Sequence, residues 1–118
     1  MWLLPLSAAI SCGNSYHIAS DDLGGNTVSG GKLKETGTTH WNSPNTEATN
    51  ESIFTALPGG YRVNSAFYYI KEYGYWWTST EGFPNNGKTE TPGYDSGALN
   101  ESFADKDDGL SVRCIKDL

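Results

Sequence analysis

Thr55-Ala56-Leu57-Pro58-Gly59-Gly60-Tyr61-Arg62, Gly74-Tyr75-Trp76-Trp77-Thr78-Ser79-Thr80-Glu81 and Gly109-Leu110-Ser111-Val112-Arg113-Cys114 follow one another along the chain, and their reading decides the fold. In the first run, Pro58 and two successive glycines separate the apolar pair Ile53-Phe54 from Tyr61. Glycine tolerates positive φ at no steric cost, so a bend back toward the core is expected there. The second and third runs alternate with the period of two that marks half-buried strands. Tyr73, Tyr75 and Trp77 fall on one face with Trp76 and Thr78 on the other, while Leu110, Val112 and Cys114 share a face opposite Ser111, Arg113 and Ile115.

Taken together, these runs resemble the Fibrobacter succinogenes major paralogous domain, a family of secreted bacterial modules grouped with the C-type lectin-like and formylglycine-generating-enzyme-like folds. The resemblance covers most of the chain from Cys12 to Asp117, is strongest over 31–62 and 109–114, and weakens over 82–105 and before Leu23. It implies an α+β, strand- and loop-rich fold: a small twisted antiparallel sheet of C-type lectin-like kind, carrying long loops and located outside the cell. Gly13-Asn14-Ser15-Tyr16-His17-Ile18-Ala19-Ser20-Asp21-Asp22 is similar to the family's opening motif with several substitutions. A helix carrying a Trp normally follows that motif in the family. Here Leu23-Gly24-Gly25 intervenes almost at once, so the first helix is expected to be reduced or missing, with Trp2 to Ile10 filling the gap in the core.

The chain has 118 residues, the size of one domain, and folding should bury about 65% of the surface that the unfolded chain exposes. We divide it into an apolar N-terminal segment, 1–11, and a single domain, 12–118. With 13% aromatic residues, 14 Gly and one Met, the core must be filled by rings packed among turns rather than by aliphatic helices. The formal charge is −6 and the eight basic residues are scattered, so no stripe exists to neutralise a phosphate backbone and nucleic acid is excluded as a partner. There is no apolar run of about 18 residues, so no membrane-spanning helix is expected.

Cys12 and Cys114 lie near opposite ends of the chain. Composition alone allows either a disulfide in an oxidising compartment or two buried free thiols. The family resemblance implies the disulfide, and closing so long a loop is worth about 4.7 kcal/mol in the chain-entropy model. Met1 to Ser11 reads either as a buried first strand or as the apolar part of a secretory signal without a preceding basic residue. A lipoprotein-like role for Cys12 would exclude its disulfide.

Thr36 to Asn50 is nearly free of apolar residues and has loop composition. Trp41 interrupts it, and an isolated Trp in a polar loop is expected to anchor that loop on the core. Gly82 to Ser102, rich in Gly, Pro, Asn and Thr, also reads as surface loops pinned by occasional rings.

No catalytic constellation emerges. His17 and His40 have no partner at metal-ligand spacing, and no phosphate-binding glycine loop is present. The weak calcium candidates are Asp105, Asp107 and Asp108, hard oxygen donors ahead of Gly109 that miss the helix-loop-helix spacing; no cofactor is otherwise expected. For ligand binding the candidates are Phe83, Asn85, Asn86, Tyr94 and Asp95, where rings could cover a sugar's apolar face and polar groups could pair with its hydroxyls. The functional expectation is a non-enzymatic secreted or cell-surface module that recognises a glycan or an extracellular protein. The alternatives are a self-associating structural subunit of an extracellular layer or filament and, third, a degenerate relative of the formylglycine-generating enzymes.

Overall fold

The structure is a computed structural model and describes residues 22–113. Its elements, in order, are a short helix α1 (Ser29–Leu33) and five strands: β1 (Tyr61–Val63), β2 (Ala66–Tyr68), β3 (Trp76–Glu81), β4 (Asn86–Pro92) and β5 (Leu99–Asp105). β3, β4 and β5 form an antiparallel sheet with β4 at its centre, and β1 and β2 form a separate antiparallel ribbon. The ribbon closes through Asn64 and Ser65, both at positive φ, the geometry whose twist matches that of paired strands.

The central sheet corrects the reading of 82–102 as surface loops, because β4 and most of β5 lie in that stretch. β4 is Asn-Gly-Lys-Thr-Glu-Thr-Pro, with no aliphatic or aromatic side chain to signal a strand. It is nonetheless covered on both faces, and Thr89, Glu90 and Thr91 are all buried. On one face the register sets Trp76 opposite Glu90 and Pro92 opposite Leu99. That face meets the apolar core of Leu33, Phe54, Ala56 and Leu99, against which Leu23 and Trp76 pack. The Phe54 and Trp76 rings meet edge to face at 5.3 Å, the arrangement their quadrupoles favour.

α1 is five residues long and was not foreseen from the sequence. Its Gly30 and Gly31 are there for close approach. A Cβ on Gly30 would lie 2.1 Å from the Ala98 carbonyl oxygen, and one on Gly31 2.3 Å from that of Glu47. Carbonyls near the end of this helix, which lack intrahelical partners, are taken up by the loop that follows. Gly31 O accepts from Thr49 N, Lys32 O from Ser52 N and Leu33 O from Ala56 N, at 2.9, 3.1 and 2.8 Å. Upstream, Gly24 and Gly25 turn the chain at positive φ.

Trp41 anchors its loop as expected: it is 1% exposed, and its indole N–H donates to the Ala56 carbonyl at 3.0 Å. Lys34 does more than any other side chain in this part of the molecule. Its fully buried ammonium donates to the carbonyls of Thr46, Gly93 and Ser96 at 2.8, 2.7 and 2.8 Å, and it stands over the Trp41 ring at 5.5 Å. A lysine ammonium has three donors, and here each meets one backbone acceptor, tying the 42–50 loop to the β4–β5 connection. Burial lowers its pKa to about 8, against the opposing pull of Asp95 and Glu47, so the group remains charged at neutral pH.

The three runs that decided the reading of the sequence meet in space. Gly109 pairs with Arg62 through two backbone hydrogen bonds, of 2.7 and 2.8 Å. Ser111 donates its N–H to Tyr75 O and accepts from Trp77 N, extending the sheet beyond β3. Arg113 lies over the Phe54 ring, 4.2 Å from its centre, and donates to the Phe54 carbonyl. The expected apolar face of the last strand is a correction. Residues 109 and 111 make isolated bridges, and Val112 is 61% exposed, because backbone pairing and Arg113 fix this segment instead of alternating aliphatic side chains. The Cys12–Cys114 pairing and the packing of Trp2 to Ile10 fall outside the described residues.

Candidate functional site

The six tyrosines among the described residues form one continuous network of rings. Tyr61, on β1, is at its centre, with Tyr68 and Tyr69 stacked at 5.7 and 5.8 Å and Tyr75 edge-on at 4.8 Å. Tyr73 joins through Tyr69, and Tyr94 through an edge contact with Tyr73 at 6.1 Å.

Two backbone features place these rings. Gly60 has φ +62, and a Cβ there would lie 2.0 Å from the Tyr68 carbonyl oxygen, so only glycine lets the 68–70 segment cross over the start of β1. Tyr69 itself is at φ +59, a left-handed conformation that costs a bulky residue about 1–2 kcal/mol. Its ring is thereby held against Tyr61.

Tyr61, Tyr69 and Tyr75 line an open cleft of about 430 Å³ on the second face of the sheet. Register places Thr89 opposite Ser102 there, and both line the cleft. The far rim is formed by Phe103, Asp105, Asp108 and Leu110. Burial, with the neighbouring phenols Tyr61, Tyr69 and Tyr73 adding to it, pushes the Tyr75 hydroxyl up to about 12. Tyr61 is raised by burial first and then by Tyr69 and Asp108. Tyr61 and Tyr75 therefore stay neutral across the physiological range, keeping both their electron-rich faces and their O–H donors. A second cleft of about 370 Å³, lined by Arg62, Asn64, Ser65 and Asp107, adjoins the first and shares Asp108 with it.

The model of the Fibrobacter succinogenes major domain matches residues 8–116, nearly the whole chain, and so includes all three runs that meet around β1 and β3. The chain belongs to that family. No curated protein and no solved structure matched it.

Within this family member, the five ligand candidates drawn from sequence do not form one site. Phe83, Asn85 and Asn86 lie at the β3–β4 hairpin, whereas Tyr94 and Asp95 follow the other end of β4. The strand residues 87–92 separate the groups by roughly 20 Å. Phe83 is 73% exposed, but the Asn86 side-chain Oδ1 is already used to accept the Phe83 N–H at 2.8 Å, closing the turn. Tyr94 is held through its backbone to Glu72 and Thr46 and through its ring to Tyr73, and Asp95 belongs to the surroundings of Lys34.

Of the acidic candidates, Asp105 ends β5 and its carbonyl accepts the Asp108 N–H at 2.9 Å, while Asp107 lies in the turn between them. Among the described residues, no group of three potential ligands is disposed to hold a metal ion. Asp105 and Asp108 instead face the tyrosine cleft. The cleft was not found from sequence, because its walls come from three separated segments. Its one local signal is density: five tyrosines lie between 61 and 75.

Proposed function

We propose that this chain is a non-enzymatic binding and display module of a secreted or cell-surface protein, of C-type lectin-like architecture, and that it takes a saccharide in the tyrosine-walled cleft. The observation that carries this reading is the convergence of Tyr61, Tyr69 and Tyr75 on an open cleft whose other wall is polar. Aromatic rings cover the C–H faces of a pyranose, while carboxylates, hydroxyls and phenol O–H groups pair with its hydroxyls. The rings are already locked against one another, so little side-chain freedom is lost on binding. Long loops over a small sheet support the lectin-like reading. His40 Nδ1 lies 2.8 Å from a Glu35 carboxylate oxygen at the surface.

A glycan array probed with the wild-type chain and with Tyr61→Ala tests the proposal. Saccharide retention that the variant loses is the expected result. Retention of no saccharide, or equal retention by both, would overturn it.

A self-associating structural subunit is the second reading, favoured by the exposed apolar side chains Phe67, Tyr68 and Ile70 on and after β2. Light scattering over a concentration series separates the two, since only self-assembly predicts growth in mass.

A further inference from the structure

We infer that the saccharide bound in this cleft carries a free amine, as a hexosamine without its acetyl group does; this rests on the saccharide reading above. The cleft offers a cation two kinds of partner, and its lining holds no cationic side chain for an anion. Its aromatic wall presents the negative faces of tyrosine rings, which attract ammonium groups when water is excluded. Its opposite rim presents Asp105 and Asp108, and among the described residues neither carboxylate has a cationic side-chain partner.

The basic residues nearest in sequence are engaged elsewhere. Lys106 pairs with Glu81 at 2.9 Å and Lys88 with Glu101 at 3.0 Å. Arg62 lines the adjoining cleft, with its guanidinium over Phe67 at 5.7 Å. A sugar acid would meet two carboxylates with no compensating cation. A neutral sugar can donate its hydroxyls to those carboxylates but brings no positive charge to balance them, so it gains less from this rim than a cation does. An amino sugar satisfies both walls, its ring on the tyrosines and its ammonium on Asp108. The half-buried position of Asp108, shared by both clefts, makes it the anchor for the charge.

Calorimetric titration of the full chain with fully deacetylated chitotriose and with tri-N-acetylchitotriose tests this, at about pH 6, below the usual range of an amino group. The deacetylated sugar should bind about tenfold more tightly. Asp108→Asn should abolish that preference by weakening the deacetylated sugar about tenfold relative to the acetylated one, and Asp105→Asn, which leaves the turn's backbone hydrogen bond intact, provides a second neutralisation if the first variant does not fold. Equal affinity of the two sugars for the wild type would overturn the inference and leave the saccharide cleft standing. Binding of neither would overturn the inference, and a blank glycan array beside it would overturn the saccharide reading as well.

Discussion

Glu90 on β4 lies directly opposite Glu101 on β5, and its carboxyl is fully buried while that of Glu101 reaches solvent and pairs with Lys88. Burial, then the neighbouring Glu101 charge, pushes Glu90 up to about 8, with Lys88 opposing.

A carboxyl whose folded pKa lies above its unfolded value favours the fold most when protonated in both states, and that contribution is lost as pH rises toward the folded value. The melting temperature should therefore fall between about pH 5 and pH 8. Glu90→Gln should flatten this slope and, at about pH 8, raise stability by about 1 kcal/mol or more, a shift of about 4 °C. Scanning calorimetry of both proteins across that window checks it, and an unchanged slope in the variant would refute it.

Lys34 connects three backbone carbonyls from two loops. Lys34→Met leaves those carbonyls without their cation and should cost about 3–5 kcal/mol. Arginine should not rescue it, because a planar fork cannot replace three donors on one nitrogen. Urea denaturation measures the loss, and limited proteolysis should show new cleavage within 36–50.

Gly60 and Gly37 both have positive φ, but only Gly60 has a backbone oxygen where a Cβ would go. Gly37→Ala should cost about 1 kcal/mol, the conformational penalty alone. Gly60→Ala should cost at least about 2 kcal/mol more, since backbone must move, and should also weaken saccharide binding by displacing Tyr69. Equal melting temperatures for the two variants would contradict the proposed crossing.

Arg113 combines stacking on Phe54 with a hydrogen bond to its carbonyl. Arg113→Lys keeps the charge but loses the planar stack, and should destabilise by about 1 kcal/mol. Arg113→Ala should cost about twice that. Denaturant midpoints distinguish the two values.

The parts of this fold that were legible in sequence are those with local causes. Gly59-Gly60 announces its bend because of what glycine permits at φ +62, and Trp41 announces its anchoring because a lone indole in a polar stretch needs somewhere to go. β4 was illegible because its buried residues are Thr89, Glu90 and Thr91, which sequence patterning assigns to surface. Lys34 was illegible for a related reason: its three acceptors are main-chain carbonyls, which leave no trace in residue type. The cleft combines both difficulties, since Tyr61, Tyr69 and Tyr75 are brought together by a glycine and a left-handed tyrosine rather than by spacing.

From 34 to 60 the described chain contains no helix or strand, yet Lys34, Trp41 and Ser52 fix it to its surroundings through directed side-chain hydrogen bonds. Spectroscopy should reflect that division. Far-ultraviolet circular dichroism of this domain will resemble that of a poorly ordered polypeptide, while the interlocked tyrosines give an intense near-ultraviolet signal that vanishes in one sharp step on heating.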